Sequence, residues 1–166
     1  FVVGVIAGFL AATVGGWQIQ NRGTVGGNIA NASPAGDSLP AMLALDAEIV
    51  IAGAGGTRTV PYADFHTGYR ETALEAGELL HRIRVRKHDG PSAFRKVGTR
   101  QAQAISKVVL AFCARRDGDV LSQVRLGAGS IAAMPVRLAA TEKTLEGSTL
   151  SPALADAAGD AASNEI

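Results

Sequence analysis

Residues 23–45, GTVGGNIANASPAGDSLPAMLAL, decide how the rest of the chain is read. A glycine pair and a run of small polar residues precede an apolar segment. An ordinary connection needs only about two to six residues. Consecutive glycines carry no Cβ, so their backbone N–H groups can approach an anion closely. Successive N–H groups in a turn form a concave nest for phosphate oxygens. Thr24 adds a hydroxyl and Asn28 a carboxamide. Asp37 falls at a helix start, where its carboxylate suits a sugar hydroxyl better than a phosphate. Phosphate donors with one sugar-binding acid are the minimum set for a dinucleotide. The same residues also make an ordinary turn, because Gly-Gly-Asn and Ser-Pro are common loop chemistry. No Gly-Lys-Ser/Thr follows, so this is not a Walker loop. No G-x-G-x-x-G lies between a strand and a helix, so it is not the Rossmann fingerprint.

The chain has 166 residues, enough for one domain or two small ones. Apolar residues make up 47% and aromatics only 5%, so the core must be built mainly from Ala, Val, Leu and Ile. A net charge of +1, from 16 basic and 15 acidic residues, argues against a nucleic-acid partner. With Cys113 as the lone cysteine, an internal disulfide and a cysteine-rich metal or iron–sulfur site are excluded. Cys113 itself reads as a small core residue in mid-strand. His66, His81 and His88 are scattered without a Cys or Asp partner at triad spacing, which assigns them structural or solvated roles. Residues 1–17, FVVGVIAGFLAATVGGW, carry no charge. They fall short of the roughly 20 residues of a membrane helix, and a buried helix of the domain is the preferred reading. The start at Phe1 and the end at Ile166 without a closing element lead to the expectation of a fragment.

Along the chain, residues 8–14 predict a helix ended by Gly15-Gly16, and residues 18–28 a loop with short extended pieces. Asp37 is expected to cap a helix reaching Leu45, with Pro40 in its first turn. EIVIA (48–52) and TRTV (57–60) read as a hairpin turned at residues 53–56. Residues 62–78 form a connection with one helical turn near 63–65. In LLHRIRVR (79–86), Ile83 and Val85 alternate with Arg82, Arg84 and Arg86, which is strand periodicity. KHDGP (87–91) marks a domain boundary. Beyond it, residues 92–98, 105–115 and 120–130 are three antiparallel strands, and RDGD (116–119) turns a hairpin. The run from Ile105 to Cys113, with Val109 at its middle, is expected to form the core of that sheet. Pro135 is expected to open a helix to Leu145, stopped by Gly147, and Ser151 to cap a last Ala-rich helix. The fold class is α+β.

The stretch QIQNRGTVGGNIANASPAGDSLPAMLALDA (18–47) resembles the FAD-binding (medium) subunit of the xanthine dehydrogenase and aerobic carbon monoxide dehydrogenase family of molybdenum hydroxylases. The resemblance continues in DFHTGYRETAL (64–74), SAFRKVGTRQAQAISKV (92–108) and RLGAGSIAAMPVRL (125–138). It implies the second half of a two-subdomain FAD-binding domain over residues 1–87, lacking the family's first FAD loop. An incomplete C-terminal domain of three strands packed with helices would follow over residues 91–166. It implies that Thr24, Val25, Gly26, Gly27 and Asn28 form a flavin-binding loop and that Asp37 bonds a flavin-side hydroxyl. It further implies that Leu80 packs near the flavin and that Arg95 or Lys96 is a basic residue at the cofactor.

The cofactor implied is FAD, with the molybdenum cofactor and [2Fe–2S] clusters on partner subunits. Those partners are a molybdenum-binding large subunit and an iron–sulfur small subunit, in the cytoplasm. Electrons would pass from the clusters through FAD to NAD+ or another acceptor, and no side chain here would be a nucleophile. The competing expectation is a non-catalytic assembly module that keeps the fold and binds no flavin.

Overall fold

The computed structural model describes residues 14–100 and 103–166. The helix expected at residues 8–14 and most of the uncharged N-terminal segment lie outside the described residues. No described helix is long and apolar enough to cross a membrane.

The loop expected over residues 18–28 is instead largely helical. Trp17–Arg22 (α1) and Val25–Asn31 (α2) flank Gly23 and Thr24. Two adjacent glycines inside α2 oppose its formation by roughly 1 kcal/mol each relative to alanine. Two contacts offset that cost. Thr24 is extended and its Oγ1 accepts from the Gly27 N–H at 2.9 Å, an N-cap. At the other end Ile29 is fully buried, and Ala32 closes the helix in the left-handed region at φ 48°.

Leu39–Ala44 (α3) carries Pro40 in its first turn, as expected. Asp37 does not cap it. Ser38 occupies the N-cap position, without a side-chain cap bond of its own, and the Asp37 carboxylate is drawn elsewhere by partners distant in sequence.

Glu48–Gly53 (β1) and Gly56–Pro61 (β2) form the predicted hairpin. The connection that follows holds a 3-10 turn at Tyr62–Asp64 and a small ribbon, His66–Gly68 (β3) with Glu71–Thr72 (β4), which the sequence pattern did not reveal. Leu79–Arg84 (β5) pairs on the far side of β1, so the first sheet runs β2-β1-β5. Alternation sets which residues are buried. Ile49 and Ile51 point into a core with Ile29, Leu39, Leu43, Ala47, Tyr62 and Phe65.

The second sheet is antiparallel, in the order β6-β7-β8-β9, from Ser92–Gly98, Ser106–Asp117, Val120–Gly129 and Val136–Arg137. It therefore has four strands rather than three. Pro135 precedes β9 instead of opening a helix. Val136 and Arg137 pair with Ala128 and Gly127, and a proline before an edge strand costs no ladder bond. The helix Ala139–Leu145 (α4) starts only after Leu138, whose N–H still bonds Leu126 O at 3.0 Å. Ser151 caps Pro152–Glu165 (α5) by accepting from the Leu154 N–H. Val109 is fully buried on β7, and Cys113 is buried on the same strand.

The two sheets meet on α3. Its Leu39 and Leu43 fill the first core, while Ala41 and Ala44, with Leu45, pack on Ala111 and Cys113 of β7. On that second side the helix approaches β8 so closely that only glycine fits. A Cβ on Gly127 would stand 2.2 Å from the Pro40 carbonyl oxygen, and one on Gly129 2.7 Å from Pro40 Cγ. The contact at Gly127 is with backbone, so no side-chain rotation relieves it. Gly127→Ala should therefore lower stability by about 1–3 kcal/mol, the usual range for overpacking. Urea unfolding followed by circular dichroism measures this, and an unchanged midpoint would remove the close approach as a determinant of the fold.

Candidate functional site

The glycine-bearing first turn of α2 is the most open part of the stretch. Thr24, Val25 and Gly27 are exposed and Gly26 is half-buried. The first N–H groups of a helix have no intrahelical acceptor. Here Thr24 Oγ1 takes that of Gly27, and the Asn28 N–H reaches Thr24 O at 3.0 Å. A Cβ built on Gly26 would meet only Leu80 Cδ2, at an ordinary 3.7 Å. Leu80, half-buried on β5 and packed against the first core, thus forms an apolar wall beside the glycine turn.

The inner half of α2 is held from two sides. Asn28 Oδ1 accepts from Ser38 Oγ at 2.5 Å. The Ile29 carbonyl lies 3.1 Å from His66 Nε2, which links α2 to β3. His66 is buried and stacks edge-on against Tyr62 and Phe65. Burial holds its pKa below the ordinary histidine value, so the ring is neutral and Nε2 carries the proton that Ile29 O accepts.

Asp37 and Lys96 stand 59 residues apart in sequence, and their side chains meet at 2.6 Å. Both are largely shielded, with side chains 7% and 12% exposed. Ser106 Oγ donates to the other carboxylate oxygen. Both Asp37 oxygens are thus engaged by protein partners, and each keeps a second lone pair that a further hydroxyl could use. Arg95 lies on the opposite, exposed side of β6, as strand alternation requires. The structure therefore gathers Gly26 and Leu80 at one point and Asp37 and Lys96 at another, joined by the Asn28–Ser38 bond. Arg95 lies apart from both.

Ser38 and Ser106 went unrecognised in the sequence, and His66 reads there only as structural or solvated. The sequence pattern assigns the helix cap to Asp37 and not to Ser38, and the place of Ser106 depends on how β7 registers against β6, where it pairs with Gly98 across an irregularity. Nucleophilic chemistry finds no support. Burial pushes the Cys113 thiol up to about 11, and no group of three metal-ligating side chains occurs among the described residues.

Comparison with known proteins bears on the same residues. Residues 8–87 match the family described as FAD binding domain in molybdopterin dehydrogenase. Residues 92–166 match the CO dehydrogenase flavoprotein C-terminal domain. The chain is 32% identical over 154 residues to the glyceraldehyde dehydrogenase medium chain of Sulfolobus acidocaldarius, covering 93% of this chain and 55% of the relative. It is 35% identical over 146 residues to the nicotinate dehydrogenase FAD-subunit of Eubacterium barkeri, covering 84% and 49%. Among solved structures, carbon monoxide dehydrogenase from Hydrogenophaga pseudoflava superposes with a TM-score of 0.84 at 31% identity, covering 89% of this chain and 52% of that one. The chain spans about half the length of the curated relatives it matches.

The residues present suit one part of a flavin nucleotide. The space beside Gly26 that a Cβ would fill is bounded by an apolar leucine, and backbone donors without intrahelical acceptors lie along it. Removing one member of a buried ion pair strands the other charge, which costs about 3–5 kcal/mol, whereas replacing both with apolar groups is often neutral. Asp37→Leu alone and Lys96→Met alone should each destabilise the protein by that order, and the double variant by much less. A double-mutant cycle in urea checks this. Small, additive losses would mean that the pair contributes little to the fold.

Proposed function

The chain belongs, over residues 8–87, to the FAD-binding domain family of molybdopterin dehydrogenases and, over residues 92–166, to the CO dehydrogenase flavoprotein C-terminal domain family, and on that premise we propose that it serves as the flavin-carrying subunit of a molybdenum hydroxylase complex. Its partners would be a molybdenum-binding large subunit, where substrate is oxidised, and an iron–sulfur small subunit that delivers the electrons. The acceptor would be NAD+ or another oxidant, and the complex would work in the cytoplasm. Residues 1–87 would form the FAD-binding domain and residues 91–166 the C-terminal domain. The medium-chain and FAD-subunit names of the relatives support a multi-subunit enzyme.

The observation that carries the reading is the open face at Gly26. When bound, FAD supplies the redox chemistry, and the polypeptide supplies binding, orientation and electrostatics. The Thr24–Asn28 turn would bind with backbone N–H groups, the Thr24 hydroxyl and the Asn28 carboxamide. Leu80 would press an apolar surface on the cofactor and exclude water. Of the two basic candidates, Lys96 has the supported position. Asp37 and Ser106 hold its strand against the loop that leads to α3. In this reading Asp37 fixes Lys96 and accepts a flavin-side hydroxyl with a remaining lone pair.

Gly26→Leu places a side chain where the cofactor would lie, at a position where an added Cβ makes only ordinary contact in the protein alone. The full-length variant should fold with a near-wild-type melting temperature, yet purify without the yellow flavin absorbance. Full flavin occupancy in a folded Gly26→Leu protein would reject this surface and leave the non-catalytic assembly module as the better account.

A further inference from the structure

Ser38 sits where a serine ordinarily caps its own helix, but it does not. Its buried hydroxyl reaches back ten residues and donates to Asn28 Oδ1 at 2.5 Å. The Asn28 backbone is fixed as well, through its N–H to Thr24 O at 3.0 Å. A carboxamide has one acceptor oxygen and one NH2 with two donor hydrogens. With the oxygen held by Ser38, the Nδ2 donors have no protein partner among the described residues. Asn28 is half-buried and directly follows the glycine pair in the first turn of α2.

We propose that Ser38 is a positioning residue for ligand recognition. It locks the Asn28 side chain with its oxygen inward, so that Asn28 offers only donors, and those donors select an acceptor oxygen of the flavin nucleotide's diphosphate. This rests on the flavin-binding reading given above. A freely rotating amide would have to be ordered with its NH2 outward as the phosphate binds, at a cost in rotamer entropy. Fixing the rotor therefore lowers that cost without adding a contact. The serine makes no contact with the ligand and acts entirely through Asn28.

The test uses the full-length protein stripped of flavin, with FAD and riboflavin as probes and binding read by flavin fluorescence quenching. Ser38→Ala should weaken FAD about five- to tenfold, the scale of ordering one side chain on binding, and leave riboflavin, which has no phosphate, unchanged. Ser38→Thr should restore FAD affinity. In an Asn28→Ala background, Ser38→Ala should have no further effect. Asn28→Asp keeps the bond to Ser38 but replaces the donors with a carboxylate oxygen, and should weaken FAD more than Ser38→Ala does. Unchanged FAD affinity in Ser38→Ala, equal loss for riboflavin, or an equal loss in the Asn28→Ala background would each overturn the proposal while leaving the flavin reading standing. Failure of the unmutated protein to bind FAD would overturn that reading and this proposal together.

Discussion

The structure depends on one helix with almost no outward face. α3 is buried on both sides, with leucines against the first sheet and alanines against the second. Each fully buried leucine contributes about 1.5–3 kcal/mol through removal of apolar surface from water. The alanine side works differently. It gains contact by closeness, and that closeness exists because Gly127 and Gly129 leave the surface of β8 bare. The glycines of GAGS are therefore packing residues, although the family resemblance alone would tempt a functional reading.

Ion pairs at each end of α3 fix its direction. At its start Asp37 binds Lys96 and Ser106 of the second sheet. At its end Asp46, in the left-handed region at φ 45°, binds Arg125 and Arg137, each at 2.6 Å. The first pair is shielded and the second half-exposed, so removing one partner costs more at the first. The glycine turn, Leu80 and Lys96 consequently belong to one rigid frame although they come from different parts of the chain. A site that binds a cofactor through backbone donors needs such a frame, because backbone cannot adjust by changing rotamer.

The strands were legible because their signal is local. Ile83 and Val85 alternating with arginines mark β5, and RDGD marks the turn between β7 and β8. The two-residue β9 carries no periodicity, and only its pairing with β8 makes it a strand. The helix α2 was illegible for the opposite reason. Its glycines signal a loop, and burial of Ile29 with the His66 and Ser38 contacts overrides them. At the candidate site, GTVGGN and the family pattern pointed to the region. That Asp37 would be occupied by Lys96, and that Ser38 would turn towards Asn28, depends on contacts between residues far apart in sequence, which no local pattern encodes.

The central claim is that a flavin nucleotide lies against the first turn of an already formed α2. Amide hydrogen exchange of the full-length protein, with and without FAD, tests it most directly. Slow exchange at Ile29 to Asn31 in the absence of FAD, with new protection on FAD addition confined to Val25, Gly26 and their neighbours, is the predicted result. Fast exchange throughout α2 before FAD, or no change at Val25 and Gly26 after it, would contradict the account.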